Sequence, residues 1–302
     1  MRLGLEHPEA LASLALIAAA ALLLRKSRRN RRRLERFFDV EVSRLNSLME
    51  AARLAALALL AVAAAMPYVE YTARREVPLE RVGELSGKGV LHVVVLDVSR
   101  SMTYPLGPGT RFDAAREVLK RYLSSLPGGD RVHLAVFSSS ARPVCQGAPS
   151  ECLEALGRVE AGERYTAVGD ALLYAASVAR ASALAPVIVL VSDGASNYGS
   201  DPVQVAEALR GEGLPAVLVA VGDRGVLPRV AEALGARLFT VDEFTAAAAG
   251  SLAEKAAAEA RYSGLAARGE AYVEEVRRSH VPAQLLLAAA LALLASALLD
   301  GA

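Results

Sequence analysis

A doubly wound, mostly parallel α/β sheet with helices on both faces, accompanied by transmembrane helices, is the fold class this sequence predicts. Three observations predict it. Two bare apolar runs, Val90–Leu96 and Val187–Val191, are short, rich in β-branched residues and broken only by His92. Such runs are strands buried on both faces of a parallel sheet. From Val90 onward, strand and helix patterns alternate, which is the signature of βαβ winding. The remaining hydrophobicity lies in three Ala/Leu blocks outside this region, and these raise the chain to 53% hydrophobic residues and a mean hydropathy of +0.31.

The first block, Ala10–Leu24, has only Ser13 as a polar residue; the second is Leu54–Val69 and the third Val281–Leu299. A membrane span needs roughly 17–25 apolar residues. The third block meets this, and the first two need flanking residues or a thin bilayer. The alternative is a set of buried core helices. Glu6 and Glu9 precede the first block and arginines follow it, the reverse of a secretory signal. Residues Arg25–Arg53 hold ten Arg and Lys against four acids. This loop is expected in the cytoplasm. The large domain is then extracytoplasmic, on a multi-pass plasma-membrane protein. Within the loop, Arg31–Glu50 places Leu34, Phe37, Phe38, Val42, Leu45 and Leu48 near helical spacing. That pattern suits an amphipathic helix on lipid or a partner, or equally a solvated helix continuing into the second span.

The expected organisation is two amino-terminal spans over 1–70, a linker over 71–88, an α/β domain over 89–244, a helical stalk over 245–280 and a carboxyl-terminal span over 281–302. Inside the α/β domain, Arg111–Leu126 reads as a helix stopped by Pro127-Gly128-Gly129, and Val132–Phe137 as a strand with a short Ala141–Cys145 piece after it. Ser150–Val159 and Val168–Ala183 read as helices. Pro202–Arg210 is a helix with Asp201 before its first-turn proline. Ala216–Val221, Pro228–Leu234 and Arg237–Val241 continue the alternation. Glu243–His280 reads as one long Ala-rich helix, interrupted near Gly264.

Both apolar strands end in a carboxylate. Asp97-x-Ser99-x-Ser101 follows the first, and Ser192-Asp193-Gly194 follows the second. Ligands in such folds bind beyond the carboxyl ends of the strands, at the switch point. Between them lies Arg164-Tyr165-Thr166-Ala167-Val168-Gly169-Asp170, a loop entering a helix. If the strands are neighbours, two carboxylates and three hydroxyls share one pocket. These hard oxygen donors suit Mg²⁺, with Mn²⁺ as an alternative, and not zinc. The bland reading is a set of polar turns capping helices. Cys145 and Cys152 are the only cysteines. They either form a disulfide, permitted outside the membrane, or serve as two small apolar residues.

LDVSRSM, TAVGDAL and LVSDGASN resemble the three loops of the metal-ion-dependent adhesion site in von Willebrand factor A domains. The resemblance covers roughly Gly89–Phe244. It implies that Asp97, Ser99, Ser101, Thr166 and Asp193 are metal ligands, some through water. The layout of spans also resembles the Bat-type (aerotolerance) membrane proteins. That resemblance implies a membrane-anchored module for protein–protein interaction, accompanied by a MoxR-type AAA+ ATPase or a sister protein of the same kind. The partner is expected to present an exposed Asp or Glu to the metal. Arg100, Met102, Tyr104, Tyr165 and Tyr198 are expected on the contact rim, where Arg and aromatic side chains are favoured; the bland alternative is that the tyrosines merely cover the loops.

No nucleic-acid partner is expected, because positive charge is confined to one short loop. An enzyme is not expected either. His92 and His133 stand at strand starts, away from the metal edge, and no phosphate-binding glycine motif occurs. The competing readings are an external regulatory subunit of a membrane transport complex and a metal-dependent hydrolase.

Overall fold

The computed structural model describes residues 2–38, 44–85 and 87–299. In chain order come β1 (Arg2–Leu5), α1 (Ala12–Phe38), α2 (Arg44–Ala64), β2 (Pro67–Glu76), β3 (Val90–Asp97), β4 (Pro105–Leu106), β5 (Gly109–Thr110) and α3 (Arg111–Ser125). They are followed by β6 (Arg131–Phe137), β7 (Ala141–Gly147), α4 (Pro149–Leu156), α5 (Val168–Arg180), β8 (Ala185–Ser192) and α6 (Pro202–Gly211). The chain ends with β9 (Ala216–Val221), α7 (Leu227–Leu234), β10 (Arg237–Val241), α8 (Ala246–Ala267), β11 (Tyr272–Ser279) and α9 (Val281–Leu299). Two units result, one from residues 76–273 and one from 1–75 with 274–302.

The larger unit is built on a six-stranded sheet in the order β10-β9-β8-β3-β6-β7. All its pairings are parallel except β6 with β7 at the edge. β3 and β8, whose apolar runs are unbroken, are buried at every position. Successive residues of β3 feed opposite cores. Val90, Val94 and Leu96 face the core lined by α3, α4 and α8, and Leu91, Val93 and Val95 face the one lined by α5, α6 and α7. The two-residue period of a strand thus serves both helical layers. Helix starts follow local chemistry. The Thr110 side chain accepts from the Asp113 backbone N–H, and the Asp113 carboxylate accepts from the Thr110 N–H, a capping box opening α3. Asp201 caps α6 ahead of Pro202. Cys145 and Cys152 are joined by a disulfide linking β7 to α4.

The expected long helix over Glu243–His280 is corrected. α8 stops at Ala267, and Gly269 takes the left-handed conformation at φ +64°. Residues 272–279 then form a strand. Gly264 does not interrupt α8; it lets the helix approach the sheet, since a Cβ there would sit 3.2 Å from Val90 Cγ1. Beneath α8, His92 is fully buried and accepts the Tyr122 hydroxyl at 2.8 Å on Nδ1. Its Nε2 donates to Asp130 Oδ2 at 3.1 Å. Arg261 of α8 donates to Asp130 Oδ1 and to the carbonyls of Leu85 (2.5 Å) and Lys88 (2.6 Å).

The other unit contains a three-stranded sheet in the order β1-β2-β11, with β1 and β2 antiparallel. α2 packs against α1 and α9. The second apolar block breaks early: α2 ends at Ala64, Met66 turns left-handed (φ 46°), and Pro67–Val69 begin β2. The first third of the expected linker over 71–88 is therefore strand, with a 3-10 segment at Leu79–Leu85. Arg75 pairs with Glu275 at 2.5 Å and Arg278 with Glu70 at 3.0 Å. α1 continues past its apolar block into the basic stretch as far as Phe38. The side chains of 27–50 lie outside those described, and with them the expected amphipathic face of Arg31–Glu50. Among the described residues, no helix is long and apolar enough to cross a membrane.

Candidate metal centre

The register of β3 against β8 builds the centre. Leu96 is opposite Val191, so Asp97 and Ser192 emerge side by side at the carboxyl ends. The Ser192 hydroxyl donates to Asp97 Oδ2 at 2.6 Å, and the Ser99 N–H donates to Asp97 Oδ1 at 2.8 Å. Asp97 is fully buried. Burial pushes its carboxyl up to about 6, and the neighbouring Asp193 charge adds to this, while the Ser192 and Ser99 hydrogen bonds oppose it. The turn then brings Ser99 Oγ and Ser101 Oγ within 3.1 Å of each other.

Asp193 is 1% exposed. Its Oδ1 accepts the Ala195 N–H at 3.1 Å, and its Oδ2 accepts Arg111 Nη1 at 2.7 Å. Gly194 must be glycine. Its φ is +78°, and a Cβ would lie 2.1 Å from the Arg224 carbonyl oxygen. The third loop is stitched to the first by backbone: Arg100 N–H donates to Glu163 O at 2.7 Å, and Ser99 bridges Glu163. Thr166 is 2% exposed, and its N–H donates to Asn197 Oδ1 at 2.9 Å. The carbonyl of Thr166 accepts the Asn197 N–H in return, tying this loop to the one after β8. Asp170 holds the same segment by accepting the Ser200 N–H at 3.1 Å.

The five expected ligands thus stand on three mutually hydrogen-bonded loops, four of them buried and Ser101 half-buried. Among the described residues, no group of three or more His, Cys, Asp or Glu side chains could hold a metal ion. The donors are two carboxylates and three hydroxyls, which fit a hard divalent cation. Sequence reading missed Ser192 and Arg111. Ser192 has a signal only once the β3–β8 register is known. Arg111 has one in the Thr110 capping box, which fixes the first residue of α3.

One matching family model covers more than half of the chain: the von Willebrand factor type A domain, over residues 93–254. The chain belongs to this family. The A domain and its neighbouring elements are similar to several solved structures. One is BatB from Bacteroides thetaiotaomicron, with 18% identity over 55% of this chain and 96% of that one and a TM-score of 0.49. A second is an aerotolerance-related membrane protein from Bacteroides fragilis, with 19% identity over 56% and 98% and a TM-score of 0.49. A third is proximal thread matrix protein 1 from the mussel byssus with a zinc-occupied adhesion-site motif, with 18% identity over 76% and 54% and a TM-score of 0.48. No curated protein matches the chain.

Around the A domain's loops, Tyr104, Tyr165 and Tyr198 are each about half exposed, and Arg100 is exposed. Tyr165 has φ +65°, a conformation that costs a non-glycine residue roughly 1–2 kcal/mol. Its ring lies 5.3 Å from that of Tyr198. Met102 is corrected: it is fully buried and does not belong to the rim. The 3-10 turn Arg100–Thr103, closed by Met102 N–H to Ser99 O at 3.1 Å, turns the thioether into the core beneath the loops. His133 is occupied elsewhere, with Nε2 2.9 Å from the Tyr174 hydroxyl.

Proposed function

We propose that the A domain binds a divalent cation, Mg²⁺ or Mn²⁺, through Asp97, Ser99, Ser101, Thr166 and Asp193, and uses it to hold a carboxylate of a protein partner. The observation that carries this reading is the meeting of two buried carboxylates and two adjacent hydroxyls at the switch point of the sheet. Such a cation, ringed by neutral hydroxyls and only two carboxylates, would supply a Lewis-acidic position for an Asp or Glu side chain. Arg100 adds positive charge at the rim. Tyr104, Tyr165 and Tyr198 offer exposed aromatic area, the kind favoured at binding hot spots. The left-handed Tyr165 supports a functional role for that ring, because strain of this kind is concentrated at ligand-binding sites. The activity is binding and not turnover: His92 and His133 are committed to Tyr122, Asp130 and Tyr174.

The unit of 1–75 with 274–302 anchors the chain in a membrane, with the A domain on the extracytoplasmic side. Exposed leucines on α1 (Leu16, Leu22, Leu23) and α9 (Leu285, Leu287, Leu291), together with the basic stretch Arg25–Arg53, support this placement. A MoxR-type ATPase would be a cytoplasmic companion meeting the 31–50 segment, and Phe37→Ala/Phe38→Ala would break that contact without touching the metal face.

One experiment tests site and sidedness together. Intact cells are treated with a membrane-impermeant cross-linker in Mg²⁺, in EDTA, and with the Asp193→Ala chain. A cross-linked partner is expected in Mg²⁺ alone. An equal cross-link in EDTA and with Asp193→Ala would remove the metal from the mechanism. A partner captured only by a membrane-permeant reagent would place the domain inside.

A further inference from the structure

Arg111 stands between the metal centre and a third carboxylate. It is the first residue of α3, fixed there by the Thr110–Asp113 capping box. Its guanidinium donates from Nη1 to Asp193 Oδ2 at 2.7 Å and from Nη2 to Asp223 Oδ2 at 2.8 Å. The side chain is 15% exposed, while Asp223 is 77% exposed. The path of the arginine is built for it. Gly222 has φ +75°, and a Cβ there would sit 3.0 Å from Arg111 Nε, so the arginine lies directly on the backbone after β9. Nε is buried with no hydrogen-bond partner. The Tyr104 ring packs 5.6 Å from the guanidinium carbon.

We propose that Arg111 is a tethered counter-cation that competes with the divalent ion for Asp193 and so sets the metal affinity of the A domain, with Asp223 as the post that draws it aside. This inference rests on the metal reading above. Two buried carboxylates side by side repel each other when no divalent ion is near, and a fixed guanidinium offsets that repulsion. The same positive charge weakens the site for a divalent ion, since both occupy the field of Asp193. Because its two Nη groups donate to separate acceptors, Asp193 and Asp223, the guanidinium can lean outward without losing every partner. The site then binds metal less tightly than its carboxylates alone would allow, which suits reversible loading by metal and partner together.

The test is Mn²⁺ binding by the full-length chain, read from the free Mn²⁺ signal in electron paramagnetic resonance. Arg111→Gln is expected to tighten binding by about tenfold or more, the effect of removing a unit charge beside the site. Arg111→Lys, which keeps the charge, is expected to stay close to the unaltered chain. Asp223→Asn, at an exposed position with no risk to folding, is expected to weaken binding about threefold, because Arg111 then rests wholly on Asp193. In the Arg111→Gln background, Asp223→Asn is expected to have almost no effect, the coupling that a shared guanidinium requires. Unchanged or weaker binding in Arg111→Gln overturns the proposal. An Asp223→Asn effect that is absent in the parent, or undiminished in the Arg111→Gln background, overturns it too, even if Arg111→Gln does not fold. Failure of the unaltered chain to bind Mn²⁺ would instead overturn the metal reading on which this rests.

Discussion

Asp97→Asn is expected to abolish divalent-cation binding and, in the metal-free chain, to raise the melting temperature at pH 7.5. The two effects have one cause. Asp97 is buried at the end of β3, and its carboxyl is raised from 3.8 to about 6. The folded chain therefore takes up a proton before the unfolded chain does as pH falls. Below 3.8 both states are protonated and the residue costs nothing. As pH rises from 3.8 through about 6, the unfolded state ionises first, and stability is lost. Above that window the ionised carboxylate burdens the metal-free fold by about 3 kcal/mol, at 1.36 kcal/mol per pH unit. Asparagine keeps the shape and the Ser99 contact without the charge, and its amide N–H donates to the Ser192 hydroxyl in place of the bond that Ser192 donates to Asp97. A gain of roughly 6–10 °C is expected for a domain of this size. At pH 4 the two chains should melt nearly together. Saturating Mg²⁺ should reverse the order at pH 7.5, because ligand binding stabilises only the chain that binds. Calorimetric melts at both pH values, with and without Mg²⁺, check this. A metal-free Asp97→Asn chain that melts lower than the parent at pH 7.5 would contradict the burial argument.

Asp130→Ala is expected to destabilise the A domain by about 3–5 kcal/mol, the usual result of stranding one partner of a buried ion pair. Asp130 is fully buried beneath α8. Burial pushes its carboxyl up, but hydrogen bonds from His92 and Arg261 and the Arg261 charge outweigh it and hold it below the usual carboxylate range. Its removal strands a buried guanidinium, the His92 ring nitrogen and the Val90 N–H. Combining Asp130→Leu with Arg261→Met should recover only the share owed to the stranded guanidinium, because the Val90 N–H, the His92 ring nitrogen and the Leu85 and Lys88 carbonyls still lose their partners. Denaturant unfolding of the three chains measures this. A loss under about 1 kcal/mol in Asp130→Ala would show that α8 is held by its alanines alone. His92 adds a pH signature of the opposite sign to that of Asp97. Burial keeps its ring neutral by lowering its pKa from 6.5, with Asp130 opposing and Arg261 assisting. The unfolded chain is then protonated first, and stability present above 6.5 is lost as pH falls below it.

These two networks mark how far local sequence could be read. β3 and β8 were legible because unbroken β-branched runs suit only strands buried on both faces. Four of the five proposed donor positions, Asp97, Ser99, Ser101 and Asp193, were legible because their loops directly follow those strands; Thr166, in the loop entering α5, was read from the resemblance carried by TAVGDAL. Ser192 was not, since its partner Asp97 lies 95 residues away and meets it only through strand register. His92 looked like a lone polar residue in an apolar run; its partners, 30 and 38 residues on, come from α3 and the loop before β6. β11 was hidden in a segment whose glutamates and arginines also suit a helix. Its strand form needs pairing with residues some 200 positions away, as the Arg75–Glu275 and Glu70–Arg278 contacts illustrate. Met102 was misplaced because a 3-10 turn, not an extended loop, follows Ser99, and the tighter turn rotates that side chain inward.

Anomalous scattering from crystals of the chain grown with Mn²⁺ tests the central claim most directly. A single strong peak is expected among the oxygens of Asp97, Ser99, Ser101, Thr166 and Asp193, and it should vanish in Asp97→Asn crystals. A Mn²⁺ peak held by other residues, or none at these five in crystals saturated with the ion, would contradict the account.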